Sequence, residues 1–250
     1  MKKLKVILQK IIIKIYKMGG KDMYYNMNDI DVRSSNNFLR KVFLYMILGV
    51  AISFGTGAYL LYFNQNLLYS LLNYYQFLLI AELAMVFSIS FFINKISSSL
   101  ARILFLAYSL INGMTLTVVG LIYVPQVIFY AFMITLTIFV VTAIYGYTTQ
   151  EDLSSYRRFF MIALISLIIL SIINIFLKAN MLEWIITIAG TVIFTGLIAY
   201  DVNRIKWISY QLADGDNEVM EKMGIIGALS LYLDFVNLFF YILRIFGRKK

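Results

Sequence analysis

Seven hydrophobic runs dominate the chain, at residues 41–62, 74–93, 102–123, 126–147, 158–177, 184–205 and 224–245. Each is about 20 residues long, the length at which a helix crosses a hydrocarbon core of ~30 Å. Polar residues gather in short connections between the runs, which leaves no room for a soluble domain. The longest connection, 206–223, carries Asp214, Asp216, Glu218 and Glu221 and reads as a solvated acidic loop. Its DGDNE string lacks the ligand spacing of a helix–loop–helix calcium site. The pattern predicts an all-α integral membrane protein, a seven-transmembrane-helix bundle over residues 38–250. Ahead of it, Lys3, Lys10, Lys14 and Lys17 recur at helical spacing. That spacing suits a basic amphipathic helix lying on anionic headgroups, better than a cleaved leader. Residues 19–37 are polar and turn-rich, so 1–37 divide from the rest as an arm and linker.

Composition agrees. The chain is 61% hydrophobic, well above ordinary soluble domains. It has no cysteine and no histidine, which excludes disulfides, thiolate chemistry and the usual zinc sites. The net charge of +9 does not point to nucleic acid, because the basic residues flank the hydrophobic runs. Lys95, Arg102, Arg157, Arg158, Arg204, Lys206 and Lys222 fall at alternate connections, together with the lysine-rich N-terminus. The bias predicts a cytoplasmic N-terminus. Seven crossings then place Arg248, Lys249 and Lys250 outside, against the bias, so the last run is either re-entrant or a full crossing. Its length favours crossing. Abundant Ile, Asn, Lys, Tyr and Phe with a single Pro suggests an A+T-rich bacterial genome, hence an inner (plasma) membrane.

Acids inside the runs carry the candidate chemistry. Asp234 lies near the middle of the last run and Asp201 at the inner end of the one before. A charge at such depth costs at least ~2.5–3.5 kcal/mol unless paired, protonated or wetted. Two carboxylates in contact cannot both ionise cheaply, so the pair shares a proton and titrates as one unit. A divalent cation can replace that proton, and carboxylate oxygens without His or Cys suit Ca²⁺ as the bound or permeant ion. Against this, Asp201 can simply cap its helix near Arg204, and Asp234 can be a protonated acid bonded to nearby Tyr or Asn. Glu82, eight residues into the second run, has two readings as well. It lines an aqueous ion path, with Asn237 one turn from Asp234 contributing, or it is a carboxyl hydrogen-bonded to Asn112 or Thr115.

Several strings resemble the transmembrane Bax inhibitor motif family. They are ALSLYLDFVNLFFYILRIFG at 228–247, YGYTTQEDLSS at 145–155, GLIAYDVNRIK at 196–206 and the IAELAMVFS segment around Glu82. The likeness covers about 38–250. It implies a bundle with the C-terminal helix central and a pH-sensitive calcium leak controlled by aspartates on the last two helices. By position these are Asp201 and Asp234. It also implies a switchable arginine at the inner end of the second helix, where this chain reads Ile93-Asn94-Lys95. Lys95 is the nearest substitute for that latch cation and Arg102 a weaker one. The two aspartates also stand 33 positions apart, further than in the family. Some bacterial relatives are described as modulators of a membrane protease, so the alternative function is a non-conducting interaction protein of the bilayer. An enzyme is not expected. Intramembrane aspartyl proteases need Gly-x-Gly-Asp and a C-terminal Pro-Ala-Leu, whereas this chain has Leu-Tyr-Leu-Asp and only Pro125.

Overall fold

The computed structural model describes residues 32–212 and 217–247, and they are almost entirely helical. In order the helices are α1 (Val32–Tyr62), α2 (Gln65–Asn73), α3 (Tyr75–Phe92), α4 (Ser98–Ile122), α5 (Pro125–Thr148), α6 (Arg157–Leu177), α7 (Asn180–Gln211) and α8 (Asn217–Phe246). All but the short α2 are long and apolar enough to cross a membrane. The seven predicted spans are therefore present, and α2 fills the first connection. Helix α1 starts at Val32, inside the stretch read as linker. The basic face of Lys3, Lys10, Lys14 and Lys17 lies outside the described residues.

Local chemistry sets the helix ends. Ser97 Oγ accepts the Leu100 N–H at the start of α4, and Asn64 Oδ1 accepts the Leu67 N–H at the start of α2. Pro125 opens α5, where a missing N–H is harmless. Lys178 ends α6 in the left-handed conformation, φ 48°.

The loop reading of 206–223 needs correction. Helix α7 continues to Gln211 and α8 already begins at Asn217, so most of that stretch extends two helices beyond their apolar portions. Asp214 and Asp216 lie outside the described residues. Glu218 and Glu221 are on α8, where they hold the start of α4. Glu218 accepts from the Ser98 N–H at 2.7 Å and the Ser98 hydroxyl at 2.6 Å, and Glu221 pairs with Arg102 at 3.0 Å.

Burial ranks the spans. Through its apolar portion α8 is 67% buried, more than any other span, whereas α3 and α6 are 6% buried. Helix α8 packs against α1, α4, α5 and α7, while α3 leans mainly on α4 and α6 on α7. The last run is one unbroken helix, with no re-entrant break. Helices apolar on every side, such as α3 and α6, belong where one face meets protein and the rest meets lipid.

Close helix approach follows from small residues, because lipid supplies no hydrophobic drive between helices. On α1, Gly49, Ser53 and Gly57 recur every fourth position and meet Ser109, Gly113 and Thr117 of α4. A Cβ on Gly113 would stand 2.6 Å from the Ser53 carbonyl oxygen. Gly146 of α5 lies tighter still against the backbone of Ala199 on α7.

Candidate functional site

Helices α7 and α8 bring Asp201 and Asp234 together. Their carboxyls meet within side-chain hydrogen-bonding range, and Asp201 also meets the Ser230 side chain, one turn before Asp234 on α8. Both acids are buried, with Asp201 9% and Asp234 6% exposed. Asp234 Oδ2 has no hydrogen-bond donor among the described residues. An ionised carboxylate only accepts, so two of them in contact lack a hydrogen between them. One proton supplies it.

Among the described residues the cation beside the pair is Arg204, one turn further along α7. Its Nη1 stands 3.9 Å from Asp201 Oδ1, and its side chain is 48% exposed. The separation is long and the guanidinium half-hydrated, so this ion pair is weak. Neither candidate latch cation pairs with the aspartates among the described residues. Arg102 is held by Glu221, and Lys95 Nζ sits 5.6 Å from the centre of the Phe92 ring. Arg204, from the same helix as Asp201, stands where a counter-charge can act.

Glu82 and Asn237 each have hydrogen-bond partners away from the aspartate pair. Asn237 Nδ2 donates to the Leu233 carbonyl of its own helix at 2.8 Å. Glu82 Oε1 accepts from Thr115 Oγ1 at 2.6 Å and from Asn112 Nδ2 at 3.3 Å, the two partners of the alternative reading. Asn112 Oδ1 in turn faces the Tyr232 hydroxyl at 2.7 Å. Among the described residues no group of three or more acidic, His or Cys side chains is placed to hold a metal ion.

Two further residues frame the inner end of α7: Asn203, which sequence reasoning did not single out, and Lys206, which it read only as a flanking charge. Asn203 is fully buried; its Oδ1 accepts the Leu153 N–H at 3.1 Å, and its Nδ2 donates to the Gly146 and Glu151 carbonyls at 3.2 Å each. Lys206 Nζ donates to the Tyr147 and Thr149 carbonyls at 3.0 and 2.7 Å, satisfying the C-terminal end of α5. The YGYTTQEDLSS segment is therefore a strap clamped onto α7 two and five residues from Asp201. Asp152 accepts the Ser154 N–H, as an N-cap should. A polar residue inside an apolar run is the signal that pointed to Asp201, and Asn203 carries the same signal.

A family profile described as "Inhibitor of apoptosis-promoting Bax1" matches residues 35–250. An uncharacterised protein of Borreliella burgdorferi is 38% identical over 223 residues, covering 88% of this chain and 95% of the relative. The inner membrane protein YbhL of Escherichia coli is 39% identical over 173 residues, 69% of this chain and 74% of its own. An uncharacterised membrane protein of Streptococcus pyogenes is 36% identical over 229 residues, 90% of this chain and 97% of its own.

Proposed function

The chain belongs to the Bax inhibitor family and is an integral membrane protein, and from that premise we propose that it is a pH-sensitive calcium (cation) leak channel gated by Asp201 and Asp234. The observation that carries the reading is the contact of two buried carboxyls on the last two helices, one of them with an oxygen that has no donor among the described residues. With one shared proton the contact is a short, strong hydrogen bond that ties α7 to α8. Without it, two anions face each other and the helices are driven apart, unless Arg204 or a cation intervenes. Two carboxylates and the Ser230 hydroxyl are too few for a resident Ca²⁺, which takes 6–8 oxygens. They suit a passing ion that keeps part of its water. By likeness to YbhL, the membrane is a bacterial inner membrane, and the loop charges put the N-terminus in the cytoplasm.

Calcium flux into liposomes holding the purified chain tests this across a pH series. The wild type is expected to change its flux with pH, and Asp234→Asn, which keeps the size but removes the charge, to flatten that profile. A robust flux with an unaltered pH profile in Asp234→Asn sinks the gate. A wild type that passes no calcium at any pH leaves the non-conducting role, as a modulator of a membrane protease or other membrane partner.

A further inference from the structure

Away from the aspartate pair, a chain of hydrogen-bonding groups crosses four helices. It starts at Glu82 on α3 and passes Thr115 and Asn112 on α4. It then reaches the Tyr232 hydroxyl on α8 and ends at Ser53 on α1. Tyr232 is fully buried, with the Phe105 and Tyr108 rings edge-on to it at 5.9 and 5.7 Å. Its oxygen lies 2.7 Å from Asn112 Oδ1 and 2.6 Å from Ser53 Oγ, and Ser53 Oγ is 2.7 Å from the Ser109 carbonyl oxygen.

Counting hydrogens along this chain gives different results for the two forms of Glu82. With Glu82 ionised, the Asn112 amide nitrogen must face it, and the Tyr232 hydroxyl must donate to Asn112 Oδ1. Ser53 then has one hydrogen for two short contacts, to Tyr232 at 2.6 Å and to Ser109 at 2.7 Å, besides a longer one to the Gly49 carbonyl of its own helix at 3.0 Å. One pair of oxygens is left touching with nothing between them. With Glu82 protonated toward Asn112, and Thr115 still donating to it, the amide turns end for end, which preserves its shape. Glu82 donates to the amide oxygen, the amide nitrogen donates to Tyr232, Tyr232 to Ser53 and Ser53 to the Ser109 carbonyl. Every contact from Glu82 through Asn112, Tyr232 and Ser53 to Ser109 then holds one hydrogen. The contacts of Ser53 with the Gly49 carbonyl at 3.0 Å and of Thr115 with the Asn112 carbonyl at 2.9 Å, each within one helix, go without in either form. The titratable groups around Glu82 are Tyr75 on its own helix, Tyr108 on α4 and Tyr232 on α8. Neither a cation nor a second carboxylate is among its partners in the described residues.

We infer that Glu82 is a second proton-binding site, distinct from the aspartate pair, whose proton completes a hydrogen-bond chain that fastens α8 to α1 and α4. Tyr232 is the positioning residue through which α8, and with it Asp234 two residues on, feels the state of Glu82. Only that last link rests on the gate proposed above; the proton at Glu82 does not.

The test uses infrared spectra and thermal unfolding of the full chain in detergent, neither of which needs ion flux. At neutral pH the wild type is expected to show a protonated-carboxyl band that is lost in Glu82→Gln and kept in Asp201→Asn and Asp234→Asn. Stability should fall as pH rises through the loss of this proton, because the chain is then one hydrogen short. Glu82→Gln, which always has a donor to offer, should lack that component. Tyr232→Phe keeps the ring but cuts the chain, so the amide serves either form of Glu82 equally. The part of the pH slope owed to Glu82 should shrink by about twofold or more in that background. If no band separates wild type from Glu82→Gln, or if Tyr232→Phe leaves that slope intact, the inference is overturned. A flux unaffected by Asp234→Asn with the Glu82 band present would sink the gate alone.

Discussion

Asn203 shows what one side chain can hold. Its amide serves an N–H and two carbonyls of the strap between α5 and α6, all in a fully buried position. Removing a partner from a buried polar group leaves that group without water or replacement. Asn203→Ala should therefore cost about 2–3 kcal/mol, read as a lowered unfolding temperature in detergent, whereas Asn237→Ala, which frees a carbonyl already bonded within its helix, should cost about 1 kcal/mol or less. The aspartates, Glu82 and Asn203 share one trait at this scale, a polar group inside an apolar run. Sequence reasoning weighed the acids because ionisable groups at membrane depth are expensive, and passed over an amide whose cost is smaller. Tyr232 was harder to see. It is one of 19 tyrosines, and nothing but its neighbours marks it out.

Helix pairs follow a different rule. The α1–α4 crossing depends on backbone contact at Gly113, where an added methyl would lie 2.6 Å from the Ser53 carbonyl oxygen and 2.7 Å from Thr56 Cβ. Neither atom is the tip of a flexible side chain, so the helices must separate. Gly113→Ala is expected to destabilise by about 1–3 kcal/mol, as overpacking does, whereas Gly55→Ala, with nothing near its Cβ direction, should be nearly neutral. Differential scanning of the purified variants separates the two. Elements also explain the misread connection at 206–223. A helix that leaves the bilayer loses the unbroken apolar run that marks a span, so the extensions of α7 and α8 looked like loop. Their pairing with α4 joins Glu218 to Ser98 and Glu221 to Arg102, contacts of 120 and 119 positions' separation that no local pattern announces.

For the molecule as a whole, seven helices are long and apolar enough to cross, and seven crossings would put the start of α1 and the end of α8 on opposite sides of the membrane. The absence of cysteine makes this directly measurable, because a single introduced thiol has no background. In intact cells a membrane-impermeant maleimide should label Lys250→Cys, and it should reach Lys3→Cys only after permeabilisation. The opposite pattern would invert the orientation drawn from the loop charges. Equal labelling of both before permeabilisation would mean that the chain does not cross an odd number of times.

Hydrophobicity is a one-dimensional property of the chain, and against a bilayer it is nearly sufficient. The seven spans and the depth of Asp201, Asp234 and Glu82 follow from residue order alone, because lipid selects for length and apolarity wherever a segment sits. Partnership is not one-dimensional. That Arg102 answers Glu221, that Arg204 stands beside Asp201 and that Tyr232 joins Glu82 to Ser53 were decided only when small residues let particular helices approach. Hydrogen bonds and ion pairs act over a few ångströms, so their assignment waits on the packing that brings distant positions within that reach.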